Sequence, residues 1–419
     1  NNFLIYVFMH IARLHSRSLA RRWKAARHFA TTTGGVWPRP DIALREPLAM
    51  STAAVVETGA NPGVKGKFRD SALDAGRGIL MLLGVVLHTS NIYAENDEWL
   101  LSDDASSPVF DLLVNAIHSF RMPAFFLISG YFCALALAKR PFKGFRPYLA
   151  DRLLRLGVPL LVVWLLISPF QYWVLHGSWW PADGRSVLPL YHLWFLVDLL
   201  VLSPFIPVFQ RLVRVATARL ETLESLAWWE SVLLLALAAV TVSLLVRATR
   251  VAYVPVFGLT SLYRLSMAAP FFVFGMLVFE NPRLKRAFLD TPFWMAVPAL
   301  AVSLTLAEVH SRWSLVSELL LLGSWVATAA LTAVVIRTCY WLFPRRSTFT
   351  QVVAESSYSV YLFHHVLVIL FGVAIRDEAV WIGVKFLFVA MATSITGIAL
   401  HYLLISRFRL TRMLLNGKA

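Results

Sequence analysis

Ionisable side chains that fall inside apolar runs are costly, so in a chain of 419 residues that is 58% hydrophobic and 15% charged they mark where chemistry is to be sought. The sharpest case is Asp74-Ala-Gly-Arg77-Gly-Ile-Leu-Met-Leu-Leu-Gly-Val-Val-Leu-His88. His88 lies eleven positions after Arg77. At about 100° per residue this is three turns plus about 20°, which places both side chains on one helix face roughly 16 Å apart. A guanidinium at one end and an imidazole at the other suit a ligand with an anionic head and a long, narrow arm. Asp74, at i−3, is placed to fix the Arg77 guanidinium, and Gly76, Gly78 and Gly84 thin the helix for a close neighbour. The plainer alternative is an arginine that snorkels and a histidine that only packs.

A second group is His118-Ser-Phe-Arg121-Met-Pro-Ala-Phe-Phe-Leu-Ile-Ser129-Gly130-Tyr131. Its run returns through the membrane, which brings His118 and Arg121 towards the level of His88. Arg121 needs a partner once buried, and pairing with a carboxylate such as Asp198 to join two helices is the structural alternative to a role in chemistry. Pro123 can kink this helix, and Ser129-Gly130 permits close packing. Farther on, His192, Trp194 and Asp198 open another apolar run, and His364-His365 stand midway along a third with Glu355 near its start. A metal site built from His88, His192 and His364 has neither HxxxH nor carboxylate spacing behind it, so no metal is expected. Cys133 and Cys339 both lie in apolar segments and read as buried small hydrophobes rather than a disulfide.

The elements that must position these groups are transmembrane helices. Apolar runs bounded by charges, Pro and Gly recur ten times, at roughly 75–94, 113–138, 153–175, 192–210, 231–246, 255–279, 292–308, 315–342, 357–374 and 380–405. With a mean hydropathy of +0.65, a soluble enzyme is excluded. The expected fold is all-α, a polytopic bundle of about ten helices in a lipid bilayer, with residues 70–410 as its core. Residues 1–49 are basic and acid-poor and read as upstream, non-core sequence with Met50 as the start, or else as a transit-like segment; 50–69 form a polar leader and 411–419 a basic tail.

The net charge of +15 raises the question of nucleic acid, and its distribution answers it. With the core's amino terminus inside, 21 Lys and Arg fall at the inner connections, leader and tail, against five at the outer connections, and the first outer connection carries only acids. Topology accounts for the charge, both core termini are expected in the cytoplasm, and no nucleic-acid partner is needed.

Leu73-Asp74-Ala-Gly-Arg77-Gly with His88, Phe125-Phe126-Leu-Ile-Ser129-Gly130-Tyr131, Leu193-Trp194-Phe195-Leu196, and Ser357-Tyr358-Ser-Val-Tyr361-Leu362-Phe363-His364 resemble the successive motifs of the membrane acyltransferase-3 family over about 70–410. Val366 stands where a Pro often follows the histidine motif. The resemblance implies a cytoplasmic acyl-CoA donor, succinyl-CoA or acetyl-CoA, with no tightly bound cofactor. It implies a hydroxyl acceptor on a periplasmic glucan or another envelope glycan, and location in a bacterial inner membrane. The double His364-His365 and His192-Leu-Trp194 are similar to family members that succinylate periplasmic glucans. In such an enzyme Arg77 meets a CoA phosphate, the pantetheine arm threads along the first helix, His88 is the general base, and Arg121 holds a succinyl carboxylate or the developing oxyanion. Asp74, His118, Ser129, Tyr131, His192, Trp194 and His364 are the expected substrate-binding residues. A secondary transporter is the rival from another class, set back by the lack of repeated halves and of paired interrupted helices.

Overall fold

The computed structural model describes residues 70–95, 99–139, 144–181, 188–249, 251–256, 259–306 and 315–417. The leader and the upstream segment lie outside them. Among the described residues nine helices are long and apolar enough to cross a membrane. These are α1 (Ser71–Tyr93), α2 (Pro108–Lys139), α3 (Phe145–His176), α4 (Tyr191–Glu221), α5 (Trp228–Arg247), α6 (Leu262–Glu280), α9 (Leu315–Leu342), α10 (Thr348–Ile375) and α11 (Ile382–Ile405). The seventh apolar run, 292–308, is represented by α8 (Phe293–Leu306), and the charged connection before it is itself helical, α7 (Pro282–Leu289), the two bent by 66°. A tenth span exists if that pair is counted as one. The break has a local cause: Pro292 follows the Asp290-Thr291 end of α7, and a proline cannot continue the hydrogen-bond ladder of the helix before it. A two-stranded hairpin, β1 (Pro255–Val256) and β2 (Thr260–Ser261), precedes α6, so the sixth run turns helical only at Leu262.

The bundle is therefore a helical polytopic membrane fold, with apolar side chains such as Leu161, Leu166 and Val297 exposed on its outside. Van der Waals contact, not water exclusion, must join such helices. The α2–α6 pair shows how: a Cβ on Gly130 would collide with the Phe272 carbonyl, and one on Gly275 with the Leu127 carbonyl. Two glycines thus let the two backbones touch. α1 packs along α2 and α10, and α10 also packs on α11, so α10 is covered on several sides. Cys133 and Cys339 are free and buried.

The two ends of the bundle are fastened by different chemistry. At the basic end, Asp70 caps α1 by accepting from the Leu73 amide at 3.2 Å, and also accepts from Tyr131 at 3.1 Å, from Tyr340, and from Lys285 at 3.4 Å. At the opposite end the buried Lys385 ammonium lies 2.9 Å from Asp103 in the α1–α2 connection and donates to the Arg376 carbonyl at 2.6 Å. Residues 411–416 of the expected basic tail belong to a short helix, α12 (Arg409–Asn416), on the basic end.

Candidate active site

Because α1 and α10 lie along each other, His88 meets the His364-His365 doublet, with ring centroids 5.3 and 4.9 Å apart. The amino end of α4 adds His192, 4.8 Å from His364 and 5.0 Å from His365. Trp99, from the α1–α2 connection, stacks on His88 at 5.7 Å. Four imidazoles from three helices thus share one small volume. His192, His364 and His365 are buried, and His88 is half-buried.

The hydrogen bonds fix two of these rings. His364 Nδ1 is 2.7 Å from the Tyr361 carbonyl, and a carbonyl only accepts, so Nδ1 carries the proton and Nε2 keeps a lone pair. His365 Nδ1 likewise donates to Gln171 Oε1 at 3.1 Å. His364 Nε2 and His88 Nδ1 are buried without a hydrogen-bond partner. Leaving such an atom unmatched costs about 1–3 kcal/mol, so these two nitrogens are open to a polar group from outside the protein. Among the described residues no group of three or more His, Cys, Asp or Glu is arranged to hold a metal ion.

Arg121 is buried beside this array, and its Nε has no partner. It does not pair with Asp198. That carboxylate accepts instead from Thr260 at 2.6 Å and Arg264 at 3.3 Å. What accommodates Arg121 is α1: a Cβ at position 84 would lie 2.9 Å from its Nη2. The other thin positions of α1 meet Cys339 at Gly76 and the Val353 backbone at Gly78.

From the basic end a cavity of about 500 Å³ runs into the bundle. Its rim carries Arg77, Arg155, Arg412 and Glu355. Asp74 Oδ1 lies 3.4 Å from Arg77 Nη2, as the i−3 spacing led one to expect. Ser129 and Phe125 are on its wall, and Tyr361 lines it too. Tyr361 is where cavity and histidines join, because its hydroxyl donates to the His192 carbonyl at 2.9 Å and its ring is 5.3 Å from His192 and 6.1 Å from His364. Two π-helical turns, Leu153–Gly157 and His401–Ile405, border the cavity with Arg155 and His401, the kind of local irregularity that recurs at functional sites.

The expected residues therefore separate into three places. His88, His192, His364 and Arg121 converge; Arg77 and Ser129 line the cavity, with Asp74 beside it as the partner of Arg77. Tyr131 sits instead in the Asp70 clasp, with Lys285 over its ring at 5.2 Å, and His118 and Trp194 line a different pocket. Trp99 and Gln171 join the array without having been singled out, and His365, noted only as half of the doublet, joins it as well. A lone buried amide in the apolar run of α3 was the available signal for Gln171.

Comparison with known proteins decides the class. The acyltransferase family described as "Acyltransferase domain" matches residues 70–404. The chain belongs to this acyltransferase-3 family. It is a multi-pass membrane acyltransferase. Glucans biosynthesis protein C of Escherichia coli K12 is 27% identical over 379 residues, covering 84% of this chain and 95% of the relative. The protein of the same description from Escherichia coli O157:H7 matches to the same extent. No solved structure matches.

Proposed function

We propose that this acyltransferase moves an acyl group, succinyl in preference to acetyl, from cytoplasmic acyl-CoA to a hydroxyl of a periplasmic glucan across the bacterial inner membrane. The observation that carries the reading is the continuity at Tyr361, which lines the basic-rimmed cavity and touches two of the four histidines. A cavity of about 500 Å³ is in the range of small-molecule sites, and its three arginines suit phosphates. With the basic end in the cytoplasm, Arg77 receives a CoA phosphate and the pantetheine arm follows α1 towards His88.

The acceptor then approaches from the acidic side. His88 takes the hydroxyl proton as the oxygen attacks the thioester carbonyl, and a carbon–oxygen bond forms. The intermediate's negative oxygen faces the Arg121 guanidinium. When the carbon–sulfur bond breaks, the proton passes from His88 to the CoA thiolate. The ester remains on the outer side and free CoA on the inner. His364 Nε2, with its lone pair fixed by the Tyr361 carbonyl, is placed to share that proton. A second role for Arg121 is to hold the far carboxylate of a succinyl group, which favours a dicarboxylic donor. The acceptor class is supported by the glucan named for the relatives.

The test is transfer of labelled succinyl from succinyl-CoA to glucan by the purified, reconstituted protein. His88→Ala should lower turnover by about 10²–10⁴ with the protein still folded in the membrane. Label accumulating unchanged inside vesicles would indicate transport instead.

A further inference from the structure

A second pocket, of about 300 Å³, lies between α2, α4, α6 and α9 and is not used by the chemistry above. α2 contributes His118, one turn before Arg121, and α4 contributes Trp194, two residues after His192. α6 contributes Arg264 and Tyr263, and α9 contributes Trp325 and Ser324. α4, which carries His192, and α2, which carries Arg121, thus build one side of this pocket too, and all four helices lend it their acidic-side halves.

Three features define what fits. The walls hold four large aromatic rings, those of Phe126, Trp194, Tyr263 and Trp325, which offer broad faces to C–H groups. The Trp325 indole N–H is buried without any partner although the residue is only 6% exposed, so a hydrogen-bond acceptor is missing from that wall. The charge is balanced: Arg264 lies 4.2 Å over the Trp194 ring and is paired at 3.3 Å with Asp198, whose carboxylate is also held by Thr260 at 2.6 Å. A neutralised guanidinium argues against an anion as the main ligand, and a buried carboxylate argues against an alkyl chain. A neutral, hydroxyl-rich ring with apolar faces satisfies all three, and the volume is at the low end for small-molecule sites.

We infer that this pocket is a sugar-ring subsite, which holds one hexose of the acceptor next to the histidine array. Trp325 Nε1 donates to a ring hydroxyl, Arg264 and Asp198 bind hydroxyls at their free edges, and Tyr263 or Trp325 stacks on the sugar face. The inference rests on the acceptor assigned under the proposed function and names where that acceptor sits.

The experiment is saturation-transfer NMR and fluorescence titration of the full chain in nanodiscs with gentiobiose, a β-linked glucose disaccharide, and separately with CoA. The wild type should bind the disaccharide saturably. Trp325→Phe, which removes the donor and keeps an aromatic wall, should weaken it at least tenfold. Ser324→Trp, which fills the pocket from a partly exposed position, should do the same, while CoA affinity stays unchanged in both. No saturable sugar binding by the wild type, or equal affinity in all three proteins, overturns the inference. So does a phosphatidylglycerol molecule that co-purifies with the wild type, is lost in Ser324→Trp and is not displaced by the sugar. The functional reading fails separately, by absent CoA binding and absent transfer, and that result leaves sugar binding at this pocket readable on its own.

Discussion

The guanidinium of Arg121 occupies the space that a side chain at position 84 would need, with Nη2 2.9 Å from where its Cβ would stand. Gly84 lies one turn before His88 on the same helix, so the missing side chain sets the depth and the approach of a buried cation towards the base. The neighbour is the far end of a flexible chain, so Gly84→Ala should fold and shift the cation rather than break α1. Loss of one well-aimed stabilising group costs about 10²–10³ in turnover, and a displacement should cost less, about tenfold. Turnover per folded molecule, measured beside abundance, checks this. Loss of abundance with turnover unchanged would reduce Arg121 to a packing role.

Arg77 is three turns away at the cavity rim, so its substitution should fail in another way. Arg77→Lys keeps the charge and loses the two-pronged fork that matches a phosphate. Donor affinity should fall about tenfold with turnover at saturation nearly intact. Arg121→Lys should show the reverse division. The same defect in donor affinity alone at both positions would refute the separation by depth.

Helical periodicity made the Arg77–His88 face legible in sequence, because both side chains obey one simple rotation along α1 and nothing in the fold overrides it. It could not give His365, noted only as half of a doublet, a place in the site. Adjacent helical positions point about 100° apart, and a reading of one buried stripe admits only one member of a doublet. α10 is enclosed by α1, α3 and α11, so both histidines turn inward. The α7–α8 pair was hidden for a different reason: α7 carries Arg283, Lys285 and Arg286, so a hydropathy reading takes it for a connection and begins the run only at 292, past the 66° bend. Trp99 lies in a stretch whose acids were informative for topology, and only the tertiary fold returns it to His88. Arg264 stood within an apolar run with no local mark of its partner, since Asp198 reaches it from α4 and is itself held by Thr260 of the hairpin.

Tyr131 belongs to a family-like motif yet lies at the basic end in contact with Asp70, Lys285 and Phe279. Tyr131→Phe keeps the ring packing and removes one hydrogen bond to a carboxylate, at a cost of about 1–3 kcal/mol. The melting temperature of the detergent-solubilised protein should fall by a few degrees, while donor affinity and turnover stay within about twofold. A large loss of activity at unchanged stability would return Tyr131 to the substrate.

The strap at the opposite end gives the last test. Lys385 and Asp103 side chains are 5% and 2% exposed, so removing one partner strands a buried charge, whereas removing both strands none. Asp103 also anchors its own connection, through its backbone amide to the Ile92 carbonyl at 2.9 Å and its carboxylate to the Ala105 amide at 3.0 Å. That connection begins beside Trp99, which covers His88 and His365. Lys385→Met should therefore destabilise the fold by about 3–5 kcal/mol, and it should also lower turnover by loosening Trp99 from the imidazoles. Lys385→Met combined with Asp103→Asn should recover most of the stability, because the amide still accepts from Ala105 and no charge is left behind. Thermal unfolding of both variants, with turnover measured well below their midpoints, separates the two effects. If the double variant is as unstable as the single one, the ion pair is not what holds the connection. If turnover is untouched by the single variant, Trp99 is not held in place over the histidines by this strap.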